Sequence, residues 1–360
     1  MIETLSLPTQ LRRRAAGLLQ RLGNQWSRRA DLRYRNAGGT ATGPEFSGRF
    51  LADLALGFLA LGEVTREARW LERLPGLVEA IAARQDPSGA FRWNLPDPGA
   101  THPDGVRDQV DLAIVVDSLS LMLQREALPA RWEREARALI LRAAAYLETA
   151  RLPHRPGIIR KRDYDAPGPL RWDVLNGDAL AARAFSLSAL LPGGERYASM
   201  VEPFLQHLRE RLGQHLPGWW PYAEHPESGA ILPAGDAVPS LFFQSMMIVH
   251  LRPLCREPAF TGYLPMLDTA CHAVAAAVDQ EGAVNPALES RRECRDTPNA
   301  LVADALRGHA PALAMARLQR IGAEHVTAEG EVTDLHGTPL EDKWRLWLWS
   351  DLARLFLTLS

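Results

Sequence analysis

The sequence predicts an all-α fold, an (α/α)6 toroid of about twelve helices. Three observations carry that expectation. Apolar residues recur at i, i+3, i+4 and i+7 along most of the chain, and strand-like alternation is nearly absent. Connections alternate between short and long. Helices that follow a long connection begin near residues 47, 108, 175, 238, 297 and 341, mostly about sixty residues apart. A fixed period of helical hairpins marks a repeat architecture.

Taken in order, the helical segments cover roughly 9–22, 47–61, 64–84, 108–127, 130–149, 175–191, 195–213, 238–253, 257–279, 297–308, 310–322 and 341–358. The short connections are "LGE" at 61–63, "ALPA" at 127–130, "LPGG" at 191–194, "LCREP" at 254–258 and "GHAP" at 308–311. The long ones cover about 23–46, 85–107, 150–174, 214–237, 280–296 and 323–340. The helix after each long loop is expected inside the ring, and the helix after each short turn outside it. An inner helix must look apolar nearly all round, as "FLADLALGFLAL", "VDLAIVVDSLSLML" and "VPSLFFQSMMIVHL" do. An outer helix must carry a charged face, as "REARWLERLPGLVEAIAARQ" and "PARWEREARALILRAAAYLE" do. A superhelical solenoid shares this local pattern. Six units favour closure, because a closed ring leaves no exposed terminal faces. No internal boundary interrupts the pattern, so residues 1–360 are expected to form one toroid domain.

Bulk composition narrows the function classes. Hydrophobic residues make up 46% and charged residues 23%, as in an ordinary soluble globular protein. A formal net charge of -2 supplies no basic field for nucleic acid. Cys255, Cys271 and Cys294 form neither a CxxC pair nor an even set, so neither a disulfide framework nor a structural zinc site is expected. The segment "MIETLSLPTQLRRRAAGLLQRLG" lacks the apolar core of a signal peptide, and no run is long enough to span a bilayer. The expectation is a reduced, cytoplasmic protein without a cofactor. Two-ligand spacings at His102 with Asp104 and at Asp334 with His336 do not make a metal site.

Several outer helices end alike. "RQDPSGAFRW" and "GQHLPGWWPY" share Gln-x3-Gly-x-aromatic at Gln85/Gly89/Phe91 and Gln214/Gly218/Trp220, and "VDQEGAVN" is a shortened version. The glycine suits a left-handed helix stop, the glutamine can bond freed backbone groups, and the aromatic pins the loop.

This element resembles the repeats of terpene cyclases, one of the α/α-toroid superfamilies. A closer resemblance lies in "LNGDALAARAFSLSALLPGGERYASM" at 175–200, followed by "GWWPYAEHPESG" at 218–229. That pair is similar to helical proteins of bacterial polysaccharide biosynthesis systems, with an Asn-Gly-led helix and a Gly-x-Trp-Pro-Tyr-x-Glu loop. The Asn-Gly-led helix also resembles the C-terminal domain of glucuronyl C5-epimerases. About 70 residues carry the resemblance. The polysaccharide-associated proteins follow their loop with an Asp-Asn-x-His-Thr-like element. Here "GDAVPSLFFQ" stands in its place, with Asp236 and Ser240 but no histidine. The Asp-x-Asp-Asp motif of terpene cyclases is absent, and "DQVD" at 108–111 does not replace it.

The long loops should converge around the mouth of the ring. They bring aromatic rings beside carboxylates, which is what sugar recognition requires. Glycoside hydrolysis also needs a pair of carboxyl groups flanking the bond. The candidate catalytic residues are Glu224, Asp104, Asp108, Asp173, Asp236 and Tyr222, with Glu224 foremost. The candidate substrate-binding residues are Trp93, Trp172, Trp219, Trp220, Asn176, Arg160 and Arg162. "RKRDYD" and "RRECR" bring positive charge to the same loops, which suits an acidic polymer or a sugar phosphate. In a lyase or epimerase, Tyr164, Tyr222 or His225 would act as the base. Structural readings stand beside these. Asp108, Asp173 and Asp236 suit helix caps, Trp219, Trp220 and Tyr222 suit loop packing, Asn176-Gly177 suits a helix start, and "WRLWLW" at 344–349 reads as core closure.

The leading expectation is a carbohydrate-active enzyme acting on a bacterial polysaccharide or its precursor. Hydrolysis, elimination and epimerisation stay open, in that order. The alternative is a non-catalytic toroid that binds a glycan, or partner proteins of a polysaccharide assembly system. A terpenoid cyclase relative comes last.

Overall fold

The computed structural model describes residues 6–27, 33–35, 41–91, 108–160, 173–231, 240–288 and 297–359. Six helices form the inside of the architecture: α2 (Gly48–Thr65), α5 (Gln109–Gln124), α7 (Leu175–Ala189), α9 (Leu241–Cys255), α11 (Leu301–Leu306) and α13 (Asp342–Thr358). Each packs against the next, and α13 returns to α2, which closes the ring. Outside them lie α1 (Leu7–Ser27), α4 (Leu74–Ala82), α6 (Ala130–Ala150), α8 (Val201–Arg211), α10 (Leu264–Ala276) and α12 (Pro311–Glu324), with the single turn α3 (Ala68–Leu71) leading into α4. The protein is an all-α (α/α)6 toroid.

The two helix layers differ as their sequences require. Every residue of α5 from Gln109 to Met122 is buried, so its apolar character is not confined to one stripe. By contrast α6 buries Ala136, Leu139, Ile140, Ala143, Ala144 and Leu147, a single face at helical spacing. Both faces of the inner ring are thereby covered, one by outer helices and one by the ring's own interior. Each fully buried leucine in these layers contributes about 1.5–3 kcal/mol of transfer free energy.

Proline accounts for most departures from the expected helix bounds. The segment expected at 64–84 breaks into α3 and α4, where Pro75 enters at the N-terminus of α4. The one expected at 257–279 begins as a 3-10 turn at Pro258–Tyr263 before α10 starts with Pro265. Proline lacks the N–H that an interior helix position donates, so it fits a first turn best.

The inner helices run parallel. Residues early in one helix meet residues early in its neighbour, as Arg49 meets Asp111, and middle residues meet middle ones, as Arg183 meets Asp117. The N-termini of all six inner helices therefore lie at one end of the ring. Short strand pairs decorate the long connections: β1 (Arg33–Arg35) with β2 (Ala41–Glu45), β3 (Arg151–Leu152) with β4 (Arg155–Ile159), and β5 (Asp173–Val174) with β6 (Ala223–Glu224). The last pair ties the loop before α7 to the loop after α8, with Asp173 opposite Glu224.

The recurrent glycine after the outer helices has a common task. Gly89, Gly218, Gly282 and Gly330 all hold positive φ. A Cβ on Gly89 would lie 2.1 Å from the Arg142 carbonyl oxygen, and one on Gly330 2.0 Å from that of Arg21. Each glycine lets a loop cross directly over the backbone of the next outer helix. Gln85 completes the contact: its Nε2 donates to the carbonyls of Gly89 and Leu139, and its Oε1 accepts from Arg142. The expected helix stop is thus also a clamp between neighbouring hairpins.

Candidate active site

The interior of the ring at its N-terminal end holds a wall of aromatic rings. Phe242 stacks on Trp347 with centroids 5.5 Å apart, and Trp344 meets Trp347 edge-on at 5.0 Å. Phe243 extends the wall to Tyr222 at 4.7 Å. Except for Tyr222, which precedes β6, these residues sit in the first two turns of α9 and α13. Trp347 lies two turns before Arg354 on the same helical face.

Arg49, in the first turn of α2, crosses the same space. Its Nη1 donates to Asp111 Oδ1 at 2.7 Å, its Nε lies 3.5 Å from Asp53, and its guanidinium covers the Trp347 ring at 4.6 Å. Burial pushes the Asp111 carboxyl up to about 6 against the pull of Arg49, and nearby Asp108 adds to the rise. Burial raises Asp53 as well. One turn after Trp347, Asp351 makes no hydrogen bond or ion pair with the described residues. Burial pushes its carboxyl well above the usual range, and the like charges of Asp53 and Asp304 push the same way.

Two first-turn amides are buried at the same end of the ring. The Asn176 Oδ1 and both polar atoms of the Gln109 amide are buried without a hydrogen-bond partner among the described residues, and so is Trp347 Nε1. Asn176 and Asp178 are two residues apart on α7 and so point to opposite sides of it. Asp178 faces the outer layer, bonding Ile159 N, and Asn176 faces α9, where its Nδ2 reaches Met246 Sδ at 3.7 Å. A buried orphan amide is costly unless something binds it.

The expected site residues separate into groups. Tyr222 joins the aromatic wall, and Asn176 is one of the two buried amides. Asp108 caps α5, accepting from Val110 N at 2.9 Å and Asp111 N at 3.3 Å, and lies beside Asp111. Asp104, Asp236, Trp93, Trp172 and Arg162 lie outside the described residues. Arg160 is exposed, just after β4.

Glu224, Asp173, Trp219 and Trp220 require correction as members of the mouth. Glu224 is 0% exposed and lies between the helix layers. Arg155 Nη2 reaches its Oε1 at 2.5 Å and Arg211 Nε its Oε2 at 2.6 Å, with His207 Nε2 3.4 Å away. Arg211 and His207 come from outer helix α8. Asp173 is buried beside it, and burial pushes its carboxyl up to about 8, with the nearby Glu224 charge pushing the same way. Three carboxyls face two arginines. One retained proton between Asp173 and Asp178 makes the cluster neutral, two charges against two. His207 adds no charge, because burial and the two arginines push it down to about 3. Trp219 and Trp220 are buried too. Trp220 Nε1 donates to the Leu208 carbonyl at 2.8 Å and its backbone N to Gln244 Oε1, so the pair pins the loop onto α8 and α9. The physical reason is shared: this loop folds inward over α8, and apolar surface as large as two tryptophans is buried wherever a groove accepts it.

Asp351, Asp111, Asp53 and Arg49 escaped the sequence reading. All four sit inside helices that were read as apolar. The signal was the charged residue repeated within an inner helix, since a charge there must face a partner or a cavity.

Other solved structures share the fold. That of a D-mannose isomerase superposes with a TM-score of 0.70 over 98% of this chain and 99% of that one, at 13% identity. Cellobiose 2-epimerase from Spirochaeta thermophila gives 0.68 over 99% and 98%, at 15% identity. An inactive variant of an α-1,6-mannanase of Salegentibacter sp., in complex with α-1,6-mannotriose, gives 0.68 over 96% and 100%, at 11% identity. No protein-family model matches the chain, and no curated protein sequence matches it. At these identities the likeness shows the fold alone, a toroid of six helical hairpins.

Proposed function

We propose that the chain, 1–360, works as one toroid domain and is a carbohydrate-active enzyme whose site is the N-terminal interior of the ring. One observation carries this reading: beside the aromatic wall lie two carboxyls that burial raises, Asp111 to about 6 and Asp351, one turn after Trp347, well above the usual carboxylate range. Aromatic rings stack on the C–H face of a pyranose. A carboxyl held protonated donates a proton to a leaving oxygen, and an ionised neighbour takes one or supports the developing cation. The same pair suits removal and return of a proton beside a sugar carbonyl. Asp351, the more strongly raised, takes the acid role, and Asp111, braced by Arg49, the base or stabiliser. The unpartnered Asn176 Oδ1 and the Gln109 amide receive sugar hydroxyls.

Among the described residues the site holds Arg49 and Lys343, whose Nζ lies 4.9 Å from the Trp344 ring and 5.0 Å from that of Trp347, against Asp53, Asp108, Asp111 and Asp351. That balance favours a neutral sugar over a uronate. The relatives in fold named as acting on mannose, cellobiose and mannan support a hexose-based substrate. Cys255 and Cys271 are free thiols, which fits a reducing cytoplasm. No helix among the described residues is long and apolar enough to cross a membrane.

The test is a screen of the purified protein against neutral and uronate-containing saccharides, read as melting temperature, new reducing ends and exchange of the C2 proton. Asp351→Asn is expected to lower turnover by about 10²–10⁴-fold while the melting temperature holds. Asp111 must be ionised to act as base, so kcat/KM should rise with pH through about 6 in the wild type, and Asp111→Asn should abolish that limb. Full turnover by the Asp351→Asn protein would remove the proposed acid. Ligand-induced shifts without products would leave a glycan-binding toroid.

A further inference from the structure

The opposite end of the ring carries a second, chemically different cavity. About 430 Å³ in volume, it opens where α5, α9, α11 and α13 end. Gln124, Pro253, Arg256 and Thr358 are exposed around it. Six arginines line it: Arg125, Arg183, Arg252, Arg256, Arg307 and Arg354. Only two carboxylates share that lining, Asp117 and Asp304.

The pairing leaves positive charge in excess. Asp117 is divided between Arg183, at 3.4 Å, and Arg354. Asp304 is divided between Arg252, at 3.2 Å, and Arg307, at 2.9 Å. Four guanidinium groups thus share two carboxylates. The Arg256 side chain makes no hydrogen bond or ion pair with the described residues. His250 stands beside Asp117 at 4.0 Å, and burial pushes it down to about 3, so it adds no charge at neutral pH and stays free to donate or accept.

A structural explanation covers part of this set. Inner helices end here, and their last carbonyls need donors. Arg252 donates to the carbonyls of Asp304 and Ala305, and Arg125 to that of Leu357 while lying 3.7 Å from Glu63. Capping therefore accounts for Arg252 and Arg125. It does not account for Arg183, Arg354 or Arg256, to which no backbone carbonyl is assigned. Burial lowers Arg183 and Arg354 to about 10, the mark of guanidinium groups with too little counter-charge around them.

We propose that this end of the ring is an anion site that takes the phosphate group of a small phosphorylated molecule. Planar guanidinium forks match tetrahedral oxyanions by paired N–H donation. The cavity has room for more than the phosphate alone. The site opens at the other end of the ring from the aromatic wall, with Trp347 and Arg354 two turns apart on α13 marking the two levels; Arg354 and Asp304 lie within electrostatic reach of Asp53 and Asp351, but phosphate binding here does not depend on the proposed reaction.

The experiment titrates the full-length protein with inorganic phosphate, glucose 6-phosphate, glucose and citrate by calorimetry at low ionic strength. Both phosphates should bind, glucose 6-phosphate the tighter, and citrate should bind more weakly than either. Arg256→Ala and Arg183→Gln should weaken glucose 6-phosphate binding about ten-fold or more. Arg256 is exposed and unbonded, so its variant keeps the wild-type melting temperature. Trp347→Ala should leave phosphate affinity unchanged. The proposal is overturned if neither phosphate binds, if both arginine variants bind like wild type, if citrate binds as tightly as phosphate, or if Trp347→Ala abolishes binding.

Discussion

Glu224 and Asp351 show how far a single residue's surroundings decide its task. Both are acidic, and only Glu224 stands in a motif-rich loop. Its carboxylate is nonetheless consumed by Arg155 and Arg211 beneath that loop. Asp351 sits in a helix that reads as core, yet it has no partner among the described residues and sees the ring interior. Removing one member of a buried ion cluster strands the rest in a medium that solvates charge poorly. Glu224→Gln is therefore expected to destabilise the fold by about 3–5 kcal/mol. Chemical denaturation of the variant checks this, and a wild-type midpoint would show that the cluster is dispensable. Sequence proximity drew attention to Glu224, and only the packing of α8 over it reveals that the carboxylate is already occupied.

At the scale of elements, close approach sets residue choice. A Cβ on Gly57 would lie 1.2 Å from Trp349 Nε1, because the α2–α13 contact that closes the ring leaves no room between the helices. Trp349 is fully buried and meets Phe58 edge-on at 6.1 Å. Gly57→Ala should cost about 3 kcal/mol or more by overpacking, although alanine is the better helix former. Thermal melts should show the loss, and unchanged stability would mean that the tryptophan can repack. The helices themselves were legible from their periodicity. Their interruptions at Pro75 and Pro258 were less so, since a proline can begin a helix as readily as end one. The Gln-x3-Gly-x-aromatic element was legible as a stop. Its role as a clamp on the next outer helix became visible only with the backbone of Arg142 in place over Gly89.

For the molecule as a whole, ring closure joins the two chain ends. The first helix, α1, packs on the last, α13, and the Arg12 guanidinium covers the Phe356 ring at 4.5 Å. A circular permutant that links the natural ends by a short Gly/Ser stretch and opens at the exposed turn Pro192–Gly193 should fold with a near-native melting temperature. Failure to fold would show that synthesis order or an intact Pro192–Gly193 turn is required. The toroid was written in the sequence, in the alternation of short and long connections and in inner helices apolar all round, because hydrophobic period and loop length are local properties. What occupies each end of the ring was not. Arg49, Asp53, Asp111 and Asp351 come from three helices, and the six arginines of the opposite cavity from five. Which charges neutralise one another, and which are left for a ligand, depends on distances that exist only once the six hairpins have closed on themselves.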